Sequence, residues 1–133
     1  LDLDELPPSL QELTLVADAG GTHDPFYKVG TMKVMPQLRR FTLFGAFELP
    51  LSIIAAILCL HPRLEEVHFY RPVQYFEDGV WKRWKDDVVD ILGRVQEVLL
   101  MLHHKPVVKV SEVSYKIYTD GPAELVIGPT LIT

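Results

Sequence analysis

The sequence predicts an α/β fold: a parallel stack of strand–helix units, followed by a long amphipathic helix and a C-terminal β-hairpin. Three observations predict it. A proline-led strand motif occurs three times, apolar residues then recur at steps of three and four over residues 81–102, and Asp120-Gly121 separates two alternating segments.

The motif copies are Pro8-Ser9-Leu10-Gln11-Glu12-Leu13-Thr14-Leu15, Pro36-Gln37-Leu38-Arg39-Arg40-Phe41-Thr42-Leu43 and Pro62-Arg63-Leu64-Glu65-Glu66-Val67-His68-Phe69. Each reads Pro-x-φ-x-x-φ-x-φ, where φ is apolar, and the spacings are 28 and 26 residues. The closing φ-x-φ puts two apolar side chains on one face of a strand. The proline lacks an N–H and clashes with a preceding turn, so it is expected to stop a helix before each strand. About 26 residues suffice for one strand, one helix and two short loops. Leu49 to Leu60 supplies a crossover helix between the second and third copies, with Pro50 in its first turn and apolar residues nearly all round. Asp24 to Met35 carries a shorter one, weakened by Gly30.

From Val80 to His104 the apolar residues Trp81, Trp84, Val88, Ile91, Leu92, Val95, Val98, Leu99 and Leu102 mark one helix face. Lys82/Asp86, Arg83/Asp87 and Asp90/Arg94 place opposite charges four apart on the other face. The alternating Val110-x-x-Val113-x-Tyr115-x-Ile117 then reads as a fourth parallel strand, 46 residues beyond the third when Val110 is matched to Leu64. Asp120-Gly121 turns the chain into an antiparallel return through Leu125-x-Ile127. The whole forms one domain over residues 1–133. Its parts are repeats at 1–79, a long helix at 80–105, and the final strand and hairpin at 106–133. The chain opens in mid-pattern, as a piece of a larger protein does.

Composition narrows the function. A net charge of −5 with scattered basic residues argues against a nucleic-acid partner. No apolar run reaches membrane-spanning length, so no membrane partner is expected. Cys59 is the single cysteine and there is no asparagine, which fits an intracellular, reducing location. Set in an apolar run, Cys59 reads as a buried, inert thiol. The five histidines make no metal-ligand pattern, and Gly20-Gly21-Thr22 lacks the ending of a phosphate loop. Ser9, Ser52, Ser111 and Ser114 have no nucleophile-elbow context. No catalytic, cofactor or metal site is expected. A pocket collecting Asp86, Asp90 and His103 is the arrangement that would revive an enzyme reading.

The motif resembles the leucine-rich repeat, whose strand signature is L-x-x-L-x-L with a period in the twenties. It is most similar to the irregular leucine-rich regions behind the F-box of many fungal F-box proteins. The usual repeat places Asn or Cys three residues after the last φ; Asp18, Ala46 and Pro72 stand there instead. The resemblance implies a substrate-binding module of a ubiquitin-ligase adaptor. It also implies a Skp1-type adaptor as a further partner, reached through a region upstream.

Stacked parallel strands align their remaining side chains into columns. These are Glu12, Arg40, Glu66 and Glu112; Thr14, Thr42, His68 and Ser114; and Val16, Phe44, Tyr70 and Lys116. Glu–Arg–Glu suits a cross-strand ion ladder. Val16, Phe44 and Tyr70 form an apolar strip of the kind that marks a partner site unless a loop covers it. Arg40, Thr42, Phe44, Glu66, His68 and Tyr70 are therefore the expected protein-binding residues. The alternative is an assembly subunit without substrate recognition, in which an exposed Trp81/Trp84 stripe would be the contact.

Overall fold

A computed structural model describes residues 3–16, 29–45, 47–72, 74–77, 79–83, 87–116 and 124–133. The fold is mixed α/β. Strands β1 (Glu12–Val16), β2 (Arg40–Phe44), β3 (Glu66–Pro72), β6 (Val107–Lys116) and β7 (Glu124–Ile132) form one sheet in the order β1-β2-β3-β6-β7. The first four run parallel, and β7 returns antiparallel to β6. Helix α1 (Leu51–Leu60) links β2 to β3, and α2 (Asp87–Leu99) precedes β6. A separate antiparallel pair, β4 (Gln74–Glu77) and β5 (Val80–Arg83), follows β3.

The three motif copies build the same local structure. The residue before each proline accepts a bond from the N–H of the first φ. The pairs are Leu10 to Pro7 (3.2 Å), Leu38 to Met35 (3.2 Å) and Leu64 to His61 (3.3 Å). Proline thus takes the second position of a tight turn, where its fixed φ is already correct. Only Pro62 follows an α-helix. Among the described residues, short 3-10 turns, Leu3–Glu5 and Val29–Thr31, lie before the other two copies, and the described part of the helix expected across 24–35, residues 29–35, is not α-helical. Residues 17–28, with Gly20-Gly21-Thr22, lie outside the described set.

Each turn delivers its strand to its neighbour in the same way. The N–H groups of Arg39 and Arg40 both reach the Gln11 carbonyl, at 2.8 and 3.1 Å. Those of Glu65 and Glu66 both reach the Arg39 carbonyl, at 2.8 and 3.0 Å. Leu13, Phe41 and Val67 therefore stand side by side, as the motif alignment requires. Side chains of matching copies pair as well: Arg63 donates to Gln37 (2.8 Å), and Arg39 bridges to Glu65 (3.0 Å).

The core lies on one side of the sheet. Leu13, Leu15, Phe41, Leu43, Val67, Phe69, Val108 and Val110 pack there against Ile54, Ile57 and Leu58 of α1 and Val88, Ile91, Val95 and Val98 of α2. Cys59 is exposed, contrary to the expectation of a buried thiol, because α1 turns Ile54, Ile57 and Leu58 inward and position 59 outward. Arg94 of α2 donates to the Leu49 carbonyl (3.1 Å), which ties α2 to the segment that leads into α1.

The second half departs from expectation in two places. Val80–Arg83 is a strand and not the start of a helix, so Trp81 belongs to no helical stripe. Lys82 and Arg83 likewise lie in β5 and not on the helix face on which the sequence placed them. Gly79, at φ +76°, explains the change: it closes a two-residue loop between β4 and β5, where a left-handed residue is needed. Trp84 and Asp86 lie outside the described residues.

The other departure is the register of β6. Val108 and Val110 stand beside Val67 and Phe69, so the interval between the third and fourth strands is 41 residues rather than 46. The neighbours of Glu66, His68 and Tyr70 are consequently Val107, Lys109 and Ser111, not Glu112, Ser114 and Lys116. The strand begins directly after Pro106, without the lead-in of the earlier copies, and both valines become fully buried.

The return strand forms as expected, although the Asp120-Gly121 turn lies outside the described residues. A bulge sets Gly128-Pro129 opposite Glu112. A side chain at Gly128 would meet the Glu112 Cβ at 3.2 Å, and Pro129 is tolerated at an edge-strand bulge. Among the described residues no helix is long and apolar enough to cross a membrane.

Candidate functional site

Period-two alternation sends Arg40, Thr42, Phe44, Glu66, His68 and Tyr70 to the face opposite the helices. The shared register then pairs them as Arg40–Glu66, Thr42–His68 and Phe44–Tyr70. All six expected residues are thus brought together. Arg40 is exposed and the other five are half-buried.

The first row is an ion ladder. Arg40 Nη1 meets Glu12 Oε1 at 3.2 Å, Arg40 Nε lies 3.9 Å from Glu66 Oε2, and Lys109 Nζ bonds Glu66 Oε1 at 2.7 Å. Lys109 reaches across from the His68 row, since Val107 occupies the place beside Glu66. The hydrogen bond from Lys109 is the main reason that the Glu66 carboxyl titrates below its ordinary value, with the Lys109 and Arg40 charges adding to it. The signs alternate along the row and cancel. Exposed pairs of this kind add at most ~1 kcal/mol each, so they serve register more than stability.

The other two rows are aromatic and polar. The His68 and Tyr70 rings stack at 3.9 Å with 15° between planes, and Tyr70 meets Phe44 at 5.3 Å. His68 Nε2 lies 2.7 Å from Ser111 Oγ, which lies 2.6 Å from Thr130 Oγ1. Burial lowers the His68 pKa and the Lys109 charge lowers it further, against a smaller opposing effect of Glu66. Burial and the Lys109 charge both favour the neutral imidazole. Exposure falls along the third row, from Val16 at 58% through half-buried Phe44 and Tyr70 to Ser111 at 0%.

Ser111 and His68 superficially resemble a nucleophile and its base. The serine hydroxyl, however, is fully buried and held by Thr130 as well, so it is not presented to a substrate. Among the described residues no three His, Cys, Asp or Glu side chains are grouped to hold a metal ion. With its charges mutually neutralised, the face offers packing of aromatic rings, flanked by the hydroxyl of Thr42 and by the Arg40 guanidinium.

Three contributors lie beyond the expected set. Lys109 and Ser111 become visible only once the β6 register is known. Arg71, 5% exposed, donates to the carbonyls of Gly45 (3.1 Å) and Phe47 (2.6 Å). It fixes the β2–α1 loop beside Phe44 and Tyr70, and Gly45 N–H bonds the Tyr70 carbonyl at 3.0 Å. At φ +126°, Gly45 adopts a backbone that other residues rarely do. Its place after Val67 and Phe69 in the inward-facing series of β3 was the available signal. No protein-family model matches this chain, and no curated protein and no solved structure matches it either.

Proposed function

We propose that this chain is an intracellular protein-recognition module of leucine-rich-repeat type. On this reading it is the substrate-binding region of an F-box-type ubiquitin-ligase adaptor and has no enzymatic role. One observation carries the recognition reading: a column-ordered face of Arg40, Thr42, Phe44, Glu66, His68 and Tyr70 on the side of the sheet away from both helices. Aromatic and arginine side chains in such clusters dominate binding energy at protein interfaces. The ubiquitin-ligase part, including a Skp1-type adaptor as second partner, rests on the motif resemblance alone.

Photo-crosslinking tests the face. A benzophenone amino acid at position 44 is expected to capture a discrete protein that Tyr70→Ala reduces about tenfold or more, as loss of a hot-spot aromatic does. The same probe at exposed Val89 of α2 is expected to miss it. Equal capture from both positions, or capture indifferent to Tyr70→Ala, removes the face from the account.

A second reading, an assembly subunit, has its own support. The edge strand β7 exposes Leu125, Ile127, Leu131 and Ile132, and a long apolar edge invites pairing. If crosslinks gather at 127 and 132 instead of 44, this reading replaces the first.

A further inference from the structure

Among the described residues no strand lies beyond β1 or beyond β7, and the two outer edges differ. In a parallel ladder one residue turns both N–H and C=O to the same side, and the next residue turns both to the other. The Gln11 carbonyl accepts from Arg40, and Leu13 is level with Phe41. The backbones of Leu13 and Leu15 therefore face β2, and those of Glu12, Thr14 and Val16 face outward. β1 is the first strand of the sheet order.

This edge has the same form as the edge by which β2 meets β1 and the edge by which β3 meets β2. Two successive N–H groups of β2 take one carbonyl of β1, and two of β3 take one of β2. Their counterparts at the outer edge are the N–H groups of Gln11 and Glu12. Charge gives the incoming chemistry. The ladder runs Glu12, Arg40, Glu66, Lys109, alternating in sign, so the next member beyond Glu12 is basic.

We propose that the outer edge of β1 docks one further parallel strand of the Pro-x-φ-x-x-φ-x-φ type from another polypeptide, with Arg or Lys facing Glu12. Its apolar pair lies beside Leu13 and Leu15, and its next outward side chain beside Val16. Failure of this proposal leaves the outer-face reading intact, because that reading is tested at positions 44 and 70.

The probe is a labelled peptide of residues 34–44, whose own Arg40 would face Glu12, together with a second peptide bearing Arg40→Glu. Fluorescence anisotropy against the whole protein is expected to favour the arginine peptide about two- to five-fold, the range of an exposed ion pair. Glu12→Arg in the protein is expected to invert that preference. Thr14→Pro removes an outward N–H and leaves the bonds to β2, so it is expected to abolish binding of both peptides with the far-ultraviolet circular dichroism unchanged. Binding of neither peptide to the wild type overturns the proposal. So does a preference indifferent to residue 12, undiminished binding by Thr14→Pro, or dimerisation of the protein through this edge in place of peptide capture.

Discussion

Phe41 stands beside Val67 because the same proline turn, followed by the same pair of N–H bonds, launches both strands. Val67 stands beside Val108 although no such turn precedes Val108. There the Val107 N–H takes the Glu65 carbonyl (2.8 Å), and Thr133, at the end of β7, clamps Val108 from the other side (3.0 Å). The first junction is specified locally and repeated; the second is specified by partners far along the chain. Register written into a repeated turn survives changes elsewhere, whereas register set by a distant clamp depends on that clamp.

The largest expected effect contrasts the two junctions. Phe41→Ala, at a fully buried site, is expected to cost about 3–5 kcal/mol in urea unfolding. Val110→Ala removes two buried methyl groups and is expected to cost about 2 kcal/mol. Equal losses would mean that the two junctions share one core density.

Next comes the loop anchor. Arg71→Met strips the donor from two carbonyls and is expected to cost about 2–3 kcal/mol. The same change should raise hydrogen exchange at Gly45 while leaving β6–β7 protected. Unchanged exchange at Gly45 would show that Arg71 does not hold the loop.

The smallest effect concerns His61, which belongs to the repeat half alone. Met35 N–H donates to its Nδ1 (3.1 Å), its ring stacks on Phe41, and buried Nε2 has no partner among the described residues. Burial lowers its pKa, so the unfolded chain binds the proton more readily than the folded one. Its contribution to stability is complete above the unfolded value near 6.5 and declines as pH falls from there towards the lower folded value. The expected slope from this group approaches ~1.4 kcal/mol per pH unit within that window. Guanidinium midpoints from pH 7 to pH 5 check it. A slope that persists in His61→Leu belongs to other groups, with His68 the first to examine.

The same contrast explains what was legible in the sequence. The three copies gave the parallel order, the Leu13–Phe41–Val67 register and all six residues of the face, because proline turns and alternation act over eight residues. The fourth strand was misplaced because Val113 and Tyr115 continue a plausible alternation, while Val108 and Val110 hide in Pro106-Val107-Val108-Lys109-Val110. That error concealed Lys109 and Ser111. Trp81 fell at helical spacing from Trp84 and Val88, and that spacing alone does not separate a helix start from a short strand. His61 was invisible as a contributor, since its partner, the Met35 N–H, is a backbone group placed only by tertiary structure.

Recognition through one outward face requires β2 and β3 to lie in register. Disulfide formation between paired cysteines reads this directly, in a Cys59→Ser background that removes the exposed native thiol. Thr42→Cys with His68→Cys should crosslink under mild oxidation. Thr42→Cys with Val67→Cys should not, because those side chains point to opposite faces of the sheet. Efficient bridging of the second pair, with none of the first, would contradict the register and the face built on it.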